Sequence, residues 1–123
     1  MKRILVVDDE ADLLAVTLLR LRKTGYEIFG AVDGQEALDL AREKMPDLIV
    51  LDIFLPVMNG DEVAKILKKD EKLKHIPIIL ISADTKFLEE TFGTCGAQGC
   101  LAKPFDSAKL IEMIKRFTES GNN

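Results

Sequence analysis

Short uncharged runs rich in Ile, Leu and Val alternate along the chain with stretches in which apolar residues recur every three or four positions. Ile4-Leu5-Val6-Val7 is apolar without a break, the pattern of a strand covered on both faces. Leu14, Thr17, Leu18 and Leu21 follow at helical spacing, and Gly25 stops that helix. Tyr26 to Val32 predicts a second strand, less apolar than the first and so nearer a sheet edge. Asp33 then caps a helix with Ala37, Leu40 and Ala41 on one face, ended by Pro46. Leu48 to Leu51 predicts a third buried strand. A turn with Pro56 and Asn59-Gly60 leads into a helix whose Val63, Ile66 and Leu67 point inward. Ile76 to Ile81 predicts a fourth strand, with Pro77 at its beginning. Residues 84–92 carry a weaker helical pattern, with Phe87, Leu88 and Phe92 on its core face and Gly93 costing about 1 kcal/mol relative to Ala. Cys100 to Ala102 is a short fifth strand, and Leu110, Met113, Ile114 and Phe117 give the last helix an apolar stripe.

Five β/α units in succession imply a parallel sheet with helices on both faces and right-handed crossovers. Ligands of such sheets sit outside the carboxyl ends of the strands. Those ends are polar here: Asp8-Asp9 after the first strand, Asp52 after the third, Ser82 after the fourth and Lys103 after the fifth. Two carboxylates ~4 Å apart repel by about 4 kcal/mol at an effective dielectric of 20, so the cluster either raises its own pKa values or recruits a cation. Hard oxygen ligands in a small site suit Mg²⁺, which keeps several waters. One divalent cation and Lys103 balance the three aspartates. The site can then accept a phosphoryl group whose oxygens meet the cation, the ammonium and the Ser82 hydroxyl, with an aspartate as nucleophile.

Composition narrows the class. A chain of 123 residues, 47% hydrophobic and 31% charged, suits one globular domain. Its net charge of −4 argues against holding nucleic acid through a basic patch of its own, and no apolar run is long enough for a membrane span. Cys95 and Cys100 form neither a disulfide framework nor a zinc motif, which points to reduced thiols in a cytoplasmic protein. His75 among lysines, and the run from Lys68 to Lys74, belong to solvated surface.

The set VVDDE, LDIFLPVMNG, ISA and KPF resembles the receiver domain of bacterial two-component response regulators, over essentially the whole chain and in the same order and spacing. The resemblance implies a doubly wound, flavodoxin-like α/β fold: a five-stranded parallel sheet of order 2-1-3-4-5 in a single receiver domain over 1–123, with no output domain in this chain. It makes Asp52 the phospho-acceptor, Ser82 the switch hydroxyl and Lys103 the phosphate-binding lysine. Asp8 and Asp9 become Mg²⁺ ligands, directly or through water, with Asp52 and the backbone carbonyl of Phe54 completing the set. The Lys103-Pro104 peptide is typically cis in that family. The implied partners are a histidine kinase or phosphotransfer protein as donor, and a downstream effector or output domain reached through the fourth helix, fifth strand and fifth helix. Only self-directed phosphotransfer and autodephosphorylation are expected, not turnover of a separate substrate.

Three features depart from the usual pattern. Cys100 stands where receivers commonly carry Tyr or Phe, and is too small to fill the space a ring would occupy. The segment from Asp84 to Gly96 is about a residue short, predicting a short fourth helix. Phe54, two residues after the acceptor, predicts a ring overhanging the phosphoryl group. Competing readings are a Mg²⁺-dependent aspartyl phosphatase, a flavodoxin-like cofactor binder and a degenerate receiver acting as a scaffold. The first needs a second Asp where Phe54 stands. The second needs a Ser/Thr/Gly-rich phosphate loop where Asp8-Asp9-Glu10 would repel phosphate. A complete acidic site argues against the third.

Overall fold

The computed structural model describes residues 1–119; the final segment of the expected domain, 120–123, lies outside the described residues. Strands and helices alternate without exception: β1 (Arg3–Val7), α1 (Ala11–Lys23), β2 (Glu27–Ala31), α2 (Gly34–Lys44), β3 (Leu48–Asp52), α3 (Gly60–Lys69), β4 (Ile78–Ser82), α4 (Thr85–Phe92), β5 (Gly99–Ala102) and α5 (Ser107–Glu119). The sheet is parallel throughout, in the order β2-β1-β3-β4-β5. β1, β3 and β4, the continuous apolar runs, form its interior, while the less apolar β2 lies on an edge.

Alternation along the strands divides the core in two. Leu5, Val7, Ile49, Leu51, Ile78 and Leu80 face one way and pack against Ala37, Leu38 and Ala41 of α2, Val63, Ala64 and Leu67 of α3, and Leu88 of α4. Ile4, Val6, Leu48, Val50, Ile79 and Ile81 face the other way, covered by Leu14 and Leu21 of α1 and by Leu110, Met113 and Ile114 of α5. No described helix is long and apolar enough to cross a membrane.

Local signals hold at most of the boundaries. Asp33 accepts from the Glu36 N–H at 2.8 Å while the Glu36 carboxylate accepts from the Val32 N–H at 3.0 Å, a reciprocal cap on α2. Thr24 closes α1, and Gly25 follows at φ 95°, where a side chain is strained. Asp84 caps α4, which has eight residues and ends at Gly93, as its composition implied. Two inward assignments change, and others hold in part. Ile66 is 36% exposed because Ala64 takes its place against the sheet. Leu40 of α2 and Phe92 of α4 are partly buried and packed against the core. Phe87 stands outside the core at 36% exposed, leaving Leu88 as the α4 anchor. Tyr26 and Val32 fall outside β2, and Ile76 and Pro77 precede β4. His75 is exposed.

The entrance to β5 is pinned by polar contacts. The Gln98 side-chain oxygen accepts from the Ile78 N–H at 2.8 Å and from Lys68 Nζ at 3.3 Å, and Lys68 also donates to the Ile76 carbonyl at 2.8 Å. Burial lowers the Lys68 pKa, and these acceptors satisfy its ammonium. Pairing Leu80 with Cys100 and Ser82 with Ala102 then delivers Lys103 to the carboxyl edge.

Gly60 is the tightest point beneath that edge. Its N–H donates to the Ile53 carbonyl at 2.7 Å, and a Cβ there would land on the Asp52 carbonyl oxygen. Gly60→Ala should therefore cost about 2 kcal/mol or more in urea unfolding, against about 1 kcal/mol for Gly25→Ala, where only backbone strain opposes the methyl. Equal losses would show that the loop after β3 yields freely.

Candidate functional site

Asp8, Asp52, Ser82 and Lys103 come from four different strand ends and meet at one edge, as the parallel topology requires. Asp8 and Asp52 are buried, Asp52 to 4% exposed, and Ser82 is fully enclosed. The Lys103 ammonium reaches Asp52 Oδ2 at 2.6 Å, Asp8 Oδ2 at 3.0 Å and Glu10 Oε1 at 3.2 Å. Its backbone N–H donates to the Ser82 carbonyl at 2.9 Å, tying the lysine to the end of β4. The Lys103-Pro104 peptide is cis, as the resemblance implied.

Opposing effects act on Asp52. Burial raises its pKa most strongly; the hydrogen bond and charge of Lys103 pull it down, Asp8 pushes it up, and the Phe54 N–H, 3.3 Å from Oδ1, pulls it down. Burial prevails, and the carboxyl lies above the ordinary aspartate range. For Lys103 the outcome is reversed. Burial disfavours its charge, but hydrogen bonds and attraction from Asp52 and Asp8 outweigh it and raise the pKa. The ammonium stays charged and holds two buried carboxylates that would otherwise repel.

Asp9 is exposed at the mouth, where oxygens of Asp8, Asp9, Glu10 and Asp52 all lie within 4.8 Å of one another. Four carboxylates converging from the ends of β1 and β3 form a hard oxygen donor set suited to a divalent cation. Sequence reasoning passed over Glu10 as a participant. Its N–H donates to Asp8 Oδ1 at 2.9 Å, and this turn swings its side chain back to Lys103. The signal was the third acid of VVDDE, whose reach depends on a turn that spacing does not reveal. Glu10 also changes the charge balance. The formal charges of four carboxylates and one ammonium sum to −3, and a divalent cation would bring the sum to −1.

Ser82 Oγ accepts from the Asp84 N–H at 3.1 Å, and Asp84 Oδ1 accepts from the Phe87 N–H at 3.0 Å. Phe54 is 47% exposed, and its ring lies 5.1 Å from that of Phe87 at an interplanar angle of 34°. Such tilted pairs contribute roughly 0.5–1.5 kcal/mol beyond area burial. A hollow of about 230 Å³ lined by Asp9, Glu10, Asp52, Phe54, Ala83 and Lys103 opens over the acceptor candidate. A neighbouring one of about 280 Å³ shares Glu10, Ala83 and Lys103 and extends over Leu13, Pro104 and Phe105. Cys100 is half-buried against the α4 side of the core, and burial, then Glu89, raises its thiol pKa; the group is kept protonated rather than reactive.

Comparison with known proteins gives a consistent result. The response regulator receiver domain profile matches residues 4–115. The polar-differentiation response regulator DivK of Brucella ovis is 42% identical over 119 residues, covering 94% of this chain and 95% of that protein. The chemotaxis response regulator CheY4 of Vibrio cholerae superposes with a TM-score of 0.88 at 32% identity, over 95% of this chain and 98% of that one. The receiver domain of the sensor histidine kinase PA1611 from Pseudomonas aeruginosa, with a magnesium ion coordinated in its active-site cleft, gives a TM-score of 0.90 at 29% identity, over 96% and 98%. The chain therefore belongs to the response regulator receiver domain family of two-component signalling, whose members in general accept a phosphoryl group and bind Mg²⁺ at an acidic pocket.

Proposed function

We propose that this domain is a phosphorylation switch in which Asp52 receives a phosphoryl group from a histidine kinase or phosphotransfer protein. The observation that carries the reading is the buried ion trio: a carboxylate facing an open hollow, held at 2.6 Å by an ammonium that also binds Asp8. A carboxylate oxygen of Asp52 attacks phosphorus, the bond from phosphorus to the donor nitrogen breaks, and an acyl phosphate forms. The donor imidazole leaves and takes up a proton. Little acid–base chemistry is required of the protein.

Each neighbour has a role in this reading. Lys103 shifts from the carboxylate toward the incoming phosphoryl oxygens, and Ser82 turns its hydroxyl to another of them. Asp8, Asp9, Asp52 and the Phe54 carbonyl would hold Mg²⁺, and the converging carboxylates fit that ion. When bound, it supplies positive charge against the phosphoryl oxygens. Glu10, outside this set and largely exposed, carries the residual negative charge. The Phe54 ring stands at the mouth and obstructs water. It also disfavours the phosphatase alternative, because an apolar ring occupies the position of that mechanism's acid. The added charge then shifts contacts with a downstream effector, through α4, β5 and α5. The cytoplasm is the compartment that fits such a donor.

With Mg²⁺ and acetyl phosphate, the protein should gain one acid-stable, base-labile phosphoryl group, absent in Asp52→Asn. No adduct, or an adduct surviving that substitution, would defeat the reading. Lys103→Met should lose about 3–5 kcal/mol at pH 7, the usual cost of stranding buried charges. The Asp52 pKa, raised by burial, then rises further. A raised folded-state value means stability is present at low pH and lost as pH climbs through it, so the deficit should narrow on acidification. Thermal unfolding from neutral to acid pH checks this, and Mg²⁺ should still raise the melting temperature of the variant. A deficit independent of pH would remove the charge argument. For Phe54→Asn the phosphoryl half-life should be several-fold shorter than in wild type; equal half-lives would exclude shielding by the ring.

A further inference from the structure

We propose that Phe87 is a positioning residue that acts through Phe54, the two rings forming a surface latch that reports the state of Asp52 to the start of α4. The inference rests on the phosphoryl-acceptor reading and adds a route out of the site. Two covalently separate paths leave the carboxyl edge, one from Asp52 and one from Ser82, and converge on Phe87. One runs from Asp52 Oδ1 to the Phe54 N–H and across the ring contact at 5.1 Å. The other runs from Ser82 Oγ to the Asp84 N–H, and from Asp84 Oδ1 to the Phe87 N–H. Asp52 and Ile81 are paired in register, so both paths start from adjoining strand ends.

The receiving element is suited to being moved. α4 has eight residues, too few for stability of its own, and only Leu88 and Thr91 are buried along it. Its position depends on its cap and on side-chain contacts. A phosphoryl group on Asp52 alters the oxygen that the Phe54 N–H faces, and a Ser82 hydroxyl turned toward the new anion disturbs the acceptor of the Asp84 N–H. Both changes reach Phe87, one at its ring and one at its backbone. Neither ring is buried, so the pair can separate and re-form without opening the core. A tilted aromatic pair biases a two-state equilibrium by roughly 2- to 10-fold, enough to report and too little to lock.

Amide hydrogen exchange read over residues 84–92, with α2 as internal control, tests the latch with and without Mg²⁺ and acetyl phosphate. In wild type, phosphorylation should change exchange over 84–92 by roughly 2- to 10-fold. Phe87→Leu should take up phosphoryl on Asp52 to the same extent yet lose most of that response, and Phe87→Tyr, which keeps the ring, should retain it. A full response in Phe87→Leu, an equal loss in the tyrosine variant, or no response in wild type that is labelled would each overturn the latch. Failure of wild type to label at all is seen directly as a missing adduct, and overturns the acceptor reading together with the latch.

Discussion

The Lys103 ammonium between Asp52 and Asp8 is the constraint around which the rest is arranged. Two carboxylates within reach of one cation, all nearly out of water, are tolerable only while each keeps its partner. That requirement fixes where β5 must end relative to β1 and β3. The Gln98 and Lys68 contacts that set the β5 entrance therefore bear on the site although they lie at the opposite end of the strand. The backbone bond from Lys103 to the Ser82 carbonyl adds β4 to the same arrangement.

The sheet can hold such an arrangement because its stability lies below the carboxyl edge. Two apolar layers cover β1, β3 and β4, and among the described residues the buried carboxylates, Asp8 and Asp52, lie at the carboxyl edge. Gly60 allows the loop after β3 to fold back onto the Asp52 backbone, so the acceptor candidate is held from behind by main chain and faced from in front by Lys103. Electrostatic strain is gathered at carboxylates that a bound cation would relieve.

The parts legible in sequence are those governed by burial in one direction. Continuous runs such as Ile4–Val7 and Ile78–Ile81 can only be interior strands, and once the strands are parallel their polar ends must share an edge. The convergence of Asp8, Asp52, Ser82 and Lys103 on one edge was therefore readable before any geometry. Helix faces were less legible, because an apolar residue at the margin of a stripe can turn either way. Ile66 yields to the smaller Ala64, which allows closer approach to the sheet, and Phe87 turns out to meet another ring. The reach of Glu10 to Lys103 was not legible for a related reason: it comes from a turn closed by Asp8 Oδ1, and a third consecutive acid gives no direction.

Relative magnitudes decide which way influence runs between the site and α4. Rearranging a buried charge group involves several kcal/mol, whereas the ring pair contributes roughly 0.5–1.5 kcal/mol. In the proposed latch a change at Asp52 would therefore move Phe54 and Phe87, while those rings would not impose a charge state on Asp52. The half-buried Cys100 offers no comparable lever on the inner side of α4: its thiol is small, and its raised pKa keeps it neutral. On the proposed latch, the outer, aromatic side of the helix is where a charge event at Asp52 would meet an element weak enough to respond. A response that small in free energy would shift populations and leave the final choice of conformation to a partner on that face.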